Sequence, residues 1–196
     1  MLKIILIQIF FYLLYADDLQ VYVQASPENI NEAIEKLSLA APNINIWAQR
    51  VSLRLNPDKT KPIYFGTNHF VDHLDRLNLP GITVSEGVTV PFVKEVKSLG
   101  VILDSKLSWE SHVTLIDKKV NRVLYTLRFI RQRTTEALRI KLVQALVVLH
   151  LDYCSAVYLD CSTNLKDRIQ RLSNTCLRYI YLGLAETHTL LFIGKD

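Results

Sequence analysis

Two adjacent aspartates between apolar segments place the strongest constraint on how this chain folds. Asp17 and Asp18 belong to the sequence LYADDL at residues 14–19, and apolar or aromatic residues predominate on both sides of it. This pattern predicts two strands joined by a tight turn at Ala16, Asp17 and Asp18. Neighbouring carboxylates repel each other unless positive charge lies beside them, and Mg²⁺ accepts such hard oxygen ligands. The sequence therefore predicts a divalent-metal site here, with an ordinary solvated hairpin turn as the alternative.

The charge of the chain is unevenly distributed. The net charge of the 196 residues is +4, but residues 106–184 carry thirteen Lys and Arg against six Asp and Glu, a balance of +7. Residues 1–105 carry nine against eleven, a balance of −2. The hydrophobic content of 49% is sufficient for a packed core and excludes a disordered chain. A basic C-terminal half predicts an anionic partner that binds in that half.

Cysteine usage and the N-terminal residues bear on the compartment. Cys154, Cys161 and Cys176 are odd in number and show no C-x-x-C pairing. This argues against a disulfide framework or a zinc site, and favours a reducing, intracellular compartment. Residues 1–16 have the pattern of a secretory leader, so a small secreted protein with a cleaved leader is an alternative. We predict instead that this segment is a buried strand. Its apolar run is too short for a membrane-spanning helix, and no membrane partner is expected.

The first half of the chain is predicted to combine short strands with one interrupted helix. Ser26 and Pro27 are typical of a helix start, and the apolar face that follows is predicted to break or kink at Pro42. Residues 60–65 are predicted to form a strand and residues 67–81 a loop. The pattern further predicts a hairpin over 82–90 that turns at Gly87, and a strand over 96–104 interrupted at Gly100, where another backbone or a ligand approaches closely.

From Ser108 onward the periodicity is helical. Spacings of three and four predict a first helix with these residues inward: Trp109, Val113, Ile116, Val120, Val123, Leu127 and Ile130. A second helix, capped by Thr134 or Thr135, is predicted to be buried almost all round, with Leu138, Leu142, Leu146 and Leu149 among its apolar residues. A third is predicted to begin at Ser162 or Thr163 and to end at Gly183. The predicted class is α+β: an antiparallel sheet with a packing helix, then a three-helix bundle.

Six segments in a fixed order carry a resemblance to a known family. They are YADD at residues 15–18, WA at 47–48, LRLNPDKTK at 53–61, FG at 65–66, VKSLGVILD at 96–104 and LSWESHV at 107–113. The series closely resembles the polymerase of non-LTR (LINE-like, jockey-type) retrotransposons. The resemblance covers most of the chain, from about residue 10 to residue 184.

The resemblance implies an RNA-directed DNA polymerase, a reverse transcriptase, that takes an RNA template, a DNA primer and Mg²⁺ or Mn²⁺. Asp17 and Asp18 match the metal-binding catalytic carboxylates. Tyr15 and Ala16 match the nucleotide site, and Lys59 matches a lysine often proposed to give a proton to the departing pyrophosphate. Residues 1–105 match the palm and residues 106–184 the helical thumb, which leaves residues 185–196 as a tail.

The expected nucleic-acid contacts lie in both halves. Leu99 and Gly100 match the primer-grip strand of the family, and Lys61 follows the motif that contains Lys59. In the first thumb helix, three cations lie off the apolar stripe and are expected to contact nucleic acid, namely Lys118, Lys119 and Arg122.

The sequence also departs from the family pattern. The family places a further metal-binding aspartate, a Gly-Pro-Gln-Gly-type motif and the fingers upstream of Y-x-D-D, whereas only fourteen residues precede Tyr15 here and none is acidic. We therefore expect a truncated polymerase that holds its metal weakly and is inactive as an isolated chain. A non-catalytic nucleic-acid-binding remnant or a pseudogene product is the alternative, and completion of the palm by a second chain is left open.

Overall fold

The computed structural model describes residues 11–85 and 87–181. The chain divides into two units. Unit 1 comprises Met1–Val96 with Asp104–Leu107, and unit 2 comprises Lys97–Leu103 with Ser108–Asp196. The described residues form helices and two-stranded sheets, in agreement with the predicted α+β class. None of the helices within the described ranges is long and apolar enough to cross a membrane.

The first sheet of unit 1 is an antiparallel hairpin. Strand β1 (Phe11–Tyr15) pairs with strand β2 (Asp18–Tyr22) in a register that runs from Phe11↔Tyr22 to Tyr15↔Asp18. The predicted pair of strands is confirmed, but the predicted burial of the first strand is wrong. Its side chains from Tyr12 to Tyr15 are 46–65% exposed. Within the described residues this sheet has two strands, and its contribution to the core comes from β2, with Leu19 buried and Val21 partly buried against the same cluster. Residues 1–10 of the predicted strand lie outside the described residues.

Helix α1 (Ile30–Arg50) follows a 3₁₀ turn at Pro27–Asn29. Its buried residues recur at helical spacing, and Ile44 and Ala48 pack against Leu19 of the hairpin. Of the predicted break or kink at Pro42, the break is wrong, because the helix runs through it. Pro42 is exposed, and the apolar face continues on both sides of it, so packing holds the helix together despite the hydrogen bond that proline cannot donate.

The segment between α1 and the second sheet differs most from prediction. The strand predicted over residues 60–65 is wrong. Pro62 has no backbone N–H to donate to a neighbouring strand, and only its carbonyl takes part in a hydrogen bond, which it accepts from the Val93 amide at 2.9 Å. The predicted loop over residues 67–81 contains helix α2 (Asn68–Arg76). The Thr67 side chain caps this helix by accepting from the Phe70 amide at 3.4 Å.

Two further hairpins complete the strands. Strands β3 (Ile82–Ser85) and β4 (Val88–Val90) pair antiparallel as predicted, and Gly87 has the positive φ of +72° that its turn requires. The single strand predicted over residues 96–104 is wrong. It is a hairpin of β5 (Glu95–Ser98) and β6 (Val101–Asp104), joined by Leu99 and Gly100 with φ of +46° and +85°. Two consecutive positive φ values are what a two-residue hairpin turn demands.

Unit 2 is helical apart from its share of the last hairpin. Its helices are α3 (Glu110–Ile130), α4 (Glu136–Val143), α5 (Leu149–Asp152) and α6 (Thr163–Tyr181), with a π-helical turn at Gln144–Val148 and a 3₁₀ stretch at Ser155–Asp160. Helix α6 packs against α3 and α4. The first predicted helix is confirmed, and Val113, Ile116, Val120 and Leu127 are buried as predicted. The predicted inward position of Ile130 is wrong, because this last residue of the helix is 42% exposed, whereas Leu124 is buried.

The second predicted helix is confirmed only in part. Thr135 caps it as predicted, with its hydroxyl accepting from the Leu138 amide at 3.3 Å. The prediction that it is buried almost all round is wrong, since three of its leucines are exposed, namely Leu138, Leu146 and Leu149. Val143 and Val147, four residues apart, are buried instead, so only one face of this segment joins the core. The third helix is confirmed, whereas its predicted end at Gly183 lies outside the described residues.

Candidate functional site

The aspartate pair of unit 1 lies at the tip of the first hairpin. Ala16 and Asp17 form the turn, and Asp18 already belongs to β2, opposite Tyr15. The predicted three-residue turn is thus one residue shorter. Ala16 has a φ of +52°, where a residue with a β-carbon carries a strain of about 1–2 kcal/mol. This tight turn presents Asp17 as exposed and Asp18 as half-buried, with Tyr15 and Ala16 exposed beside them.

Lys59 is brought towards this turn by a rigid local structure. It ends a 3₁₀ turn, Pro57–Lys59, in which the Asn56 side chain accepts from the Asp58 amide at 2.9 Å. The Asn56 carbonyl also accepts from the hydroxyl of buried Thr60 at 2.9 Å. The charge of Lys59 acts only weakly on Asp17. Lys59 therefore belongs to the same part of unit 1 as Asp17, although the two are far apart in sequence, and Lys61 lies exposed two residues beyond Lys59.

The aspartate pair suits a weakly held hard cation. One or two carboxylates, with the remaining positions filled by water and substrate phosphates, are the usual protein contribution to a Mg²⁺ site. Among residues 11–85 and 87–181, no group of three or more His, Cys, Asp or Glu side chains is placed to hold a metal ion. Asp17 and Asp18 thus fit the predicted metal in donor chemistry, while the described part of the chain supplies no closed cage.

In unit 2, the turn of the last hairpin is fixed by Tyr153, which follows α5. The Tyr153 hydroxyl donates to the carbonyl oxygen of Leu99. A β-carbon added at Gly100 would come within 3.0 Å of the Tyr153 ring. A close approach at Gly100 is thus confirmed, but the predicted partner, a backbone or a ligand, is wrong, because the approaching group is the aromatic side chain of Tyr153. Both this contact and the φ of +85° favour glycine at that position.

A cationic pocket of about 240 Å³ adjoins this turn. Its lining contains two lysines and two histidines but no acidic residue; the full set is Lys97, Gly100, His112, Leu115, Ile116, Lys119, Leu149, His150 and Tyr153. His112 is 3% exposed, and its Nδ1 accepts from the Ile102 amide at 3.4 Å. Its Nε2 has no hydrogen-bond partner among the described residues. Burial, and then the charge of Lys119, lower the pKa of His112. A pocket with this lining attracts an anionic group.

The three predicted cations of α3 do not form a single cluster. Lys118, Lys119 and Arg122 are all exposed, but only Lys119 lines the pocket. Lys118 and Arg122 are four residues apart and share one face of the helix. The structure thus assigns these cations to two places within unit 2.

Part of the positive charge of unit 2 is committed to the fold. Arg131 donates to the Tyr179 carbonyl at 3.0 Å, and Arg139 donates to the Ile180 carbonyl at 2.9 Å. These carbonyls belong to the last turn of α6, where cations are favoured by the helix dipole. Arg168 lies 3.5 Å from Asp117 in an ion pair. Arg131, Arg139 and Arg168 are therefore less available to a partner than the exposed cations of α3, although the net charge of +7 is unchanged.

Sequence reasoning missed four polar members of the pocket, namely Lys97, His112, His150 and Tyr153. Lys97 and His112 lie inside segments that carry the family resemblance, so the sequence already drew attention to both residues. Nothing in their spacing showed that they lie close together in the fold. His150 and Tyr153 follow a π-helical turn. Such a turn changes which residues after it point towards the core, and it has no clear sequence signature.

Comparison with known proteins confirms the predicted resemblance: the chain is similar in sequence to two RNA-directed DNA polymerases of mobile elements. It is 26% identical over 170 residues to the probable RNA-directed DNA polymerase from transposon X-element of Drosophila melanogaster. It is also 26% identical over 169 residues to the RNA-directed DNA polymerase from mobile element jockey of Drosophila funebris. Each alignment covers 85% of this chain but only 18% or 17% of the relative, so the chain spans less than a fifth of their length. No family model and no solved structure matches it.

Proposed function

We propose that this chain is the palm and thumb region of a non-LTR RNA-directed DNA polymerase, which copies an RNA template from a DNA primer. The observation that carries the proposal is the hairpin tip that places the exposed Asp17 beside the half-buried Asp18. The two relatives support it, because both are RNA-directed DNA polymerases by name. In this proposal unit 1 contributes the palm and unit 2 the thumb.

In unit 1, Asp17 and Asp18 hold a divalent cation, Mg²⁺ or Mn²⁺. When bound, such a cation activates the primer hydroxyl and neutralises the charge of the reacting phosphates. Lys59, on its fixed 3₁₀ turn, gives a proton to the departing pyrophosphate. Tyr15 and Ala16 line the nucleotide site, where the small side chain of Ala16 keeps the strained turn open to the triphosphate. Lys61 contacts the nucleic-acid backbone through its exposed ammonium group.

In unit 2, the nucleic acid meets the cationic pocket and the exposed cations of α3. The turn at Leu99 and Gly100 borders the pocket, and Tyr153 holds the shape of that turn. Lys97 and Lys119 supply donors for one phosphate group. Lys118 and Arg122 supply further charge outside the pocket, so binding involves several phosphate contacts.

A second candidate function is a nucleic-acid-binding module without catalysis. The observation that favours it is the donor count, because the described residues place no third metal ligand beside Asp17 and Asp18. Both candidates require unit 2 to bind nucleic acid, and they differ in what happens at the aspartates.

Binding to a labelled RNA–DNA hybrid tests what the two candidates share. Fluorescence anisotropy of the purified 196-residue chain should show binding at low salt that weakens steeply as salt is raised, since each neutralised phosphate releases counterions. Asp17→Asn/Asp18→Asn should leave this binding unchanged or slightly stronger. Absence of binding at low salt would contradict the proposed function. Primer extension separates the two candidates, and its expected result is given in the Discussion.

A further inference from the structure

Four residues of α3 form a line on the face of the helix that is turned away from the core. Lys118, Arg122, Tyr125 and Phe129 follow one another at intervals of four, three and four residues, which brings them onto one side. The buried residues Val113, Ile116, Val120, Leu124 and Leu127 lie on the opposite side. We call the four residues the outer stripe. Its first half is cationic and its second half is aromatic.

The two aromatic residues of the outer stripe are largely exposed. Tyr125 is 63% and Phe129 is 71% exposed, and neither belongs to the core of unit 2. Their rings pack edge to face, with centroids 5.0 Å apart and an interplanar angle of 87°. This contact orients each ring while leaving most of its surface open to solvent. Packing within the described chain therefore does not account for the pair.

We infer that the outer stripe binds a single-stranded segment of nucleic acid, with phosphates on Lys118 and Arg122 and bases on Tyr125 and Phe129. Single strands are bound by grooves or faces that combine cations along the backbone with aromatic rings on which bases stack. A duplex offers phosphates to the cations, but its bases are already stacked on one another. The inference rests on the proposed function and specifies the strandedness of the partner at this face.

Charge favours nucleic acid over a protein occupant for the same face. The outer stripe has no acidic member, and Asp117, which precedes Lys118, is engaged by Arg168 at 3.5 Å. Two cations one turn apart, continued by two rings, complement a chain that alternates phosphate and base. An apolar protein segment would leave Lys118 and Arg122 without counter-charge.

Three labelled probes of equal length test the inference on the 196-residue chain: a single-stranded oligothymidylate, a duplex, and a single strand of abasic sugar-phosphate units. The test variant is Tyr125→Leu/Phe129→Leu, which keeps an apolar side chain at each position but removes the stacking surface. Tyr125→Phe/Phe129→Tyr keeps both rings. Tyr181→Leu is the matched control, because Tyr181 is an exposed tyrosine at the end of α6, outside the outer stripe.

The double leucine variant should bind oligothymidylate at least about thirty-fold more weakly than wild type, since it removes two stacked bases that contribute about 1–3 kcal/mol each. Its affinity for the duplex and the abasic strand should not change, and neither should the salt dependence of any probe. Tyr125→Phe/Phe129→Tyr and Tyr181→Leu should behave like wild type.

Two results would overturn the inference alone: an unchanged affinity for oligothymidylate, or an equal loss on all three probes. A wild-type chain that binds none of the three probes would overturn the proposed function, and the inference with it. Circular dichroism of the double leucine variant, expected to match wild type, shows that a loss of binding is not a loss of helix.

Discussion

The hydroxyl of Tyr153 donates a hydrogen bond to the carbonyl oxygen of Leu99, 54 residues earlier in the chain. Leu99 has a φ of +46° and Gly100 a φ of +85°, so this turn is strained at its first residue and has little room beside its second. A single side chain thus fixes the shape of the turn and forms part of the wall of the adjoining cationic pocket. In the proposed polymerase, that turn positions the primer.

Tyr153→Phe should loosen this turn while leaving the rest of unit 2 folded. A lost hydrogen bond of this kind removes about 0.5–1.5 kcal/mol of stability, here confined to local opening of the hairpin. Hydrogen exchange of the backbone amides from Leu99 to Ile102 should accelerate. Tyr158→Phe is the matched control, because the buried Tyr158 hydroxyl has no partner among the described residues. Equal exchange rates in the two variants would show that the Tyr153 hydroxyl does not hold the turn.

Acidification should destabilise unit 2 through His112. Burial and the charge of Lys119 lower the pKa of His112 from its ordinary 6.5, so the unfolded chain takes up a proton more readily than the folded one. The stabilising contribution is therefore complete above about pH 6.5 and is lost as the pH falls towards the lower folded pKa. His112→Asn should remove this part of the pH dependence of the urea midpoint, whereas His69→Asn, at an exposed site, should not. Parallel pH profiles for wild type and His112→Asn would exclude His112 as the cause.

A weak divalent-cation site is expected at Asp17 and Asp18. Two carboxylates at an exposed turn bind hard cations with few protein ligands, so the affinity should be low. Water-proton relaxation in a Mn²⁺ titration should differ between wild type and Asp17→Asn/Asp18→Asn. Asp72→Asn is a control with an exposed carboxylate elsewhere in unit 1, and its profile should follow wild type. Identical profiles for all three proteins would remove the site.

The 196-residue chain, assayed alone, should not extend a primer on an RNA template. Nucleotidyl transfer needs cations held in line with the primer hydroxyl, and single preorganised electrostatic groups are worth about 10²–10³ in rate. The described residues provide no third metal ligand. Correct orientation of the template and the nucleotide can lower the activation barrier by about 7–11 kcal/mol, and this site does not secure that orientation. Assays with Mg²⁺ and with Mn²⁺ take Asp17→Ala/Asp18→Ala as the blank. Extension above that blank would mean that a further carboxylate completes the site, as from a second subunit.

The parts of the fold that follow from local pattern were predictable from sequence. The long apolar stripe of α3, the Thr135 cap and the Gly87 turn each depend on residues within a few positions of one another. Pro42 shows where such reasoning fails, since a local rule predicts a break but packing on both sides sustains the helix. Helix α2 had a usable signal in the Thr67 cap and the buried pair Val71 and Leu74, and the nearby Pro80 and Gly81 obscured it.

The candidate site likewise has one part that was predictable from sequence and one part that was not. The aspartate pair was visible because its residues are adjacent and belong to a recognisable series of motifs. The pocket of unit 2 was not, because Lys97, His112 and His150 come from three separate elements that only tertiary packing brings together. Likewise, the roles of Arg131 and Arg139 at the end of α6 depend on backbone carbonyls 41–48 residues away, which charge counting cannot reveal.

The salt dependence of nucleic-acid binding tests the central claim most directly, namely that unit 2 holds nucleic acid through defined phosphate contacts. Lys118→Ala/Lys119→Ala/Arg122→Ala should flatten the slope of log affinity against log salt by about two to three units, at about 0.9 per contact. Lys36→Ala/Arg50→Ala/Arg54→Ala removes the same charge from exposed positions in unit 1 and should leave the slope unchanged. If both triple variants keep the wild-type slope, or flatten it equally, the cations of α3 are ordinary solvated surface and the account is contradicted.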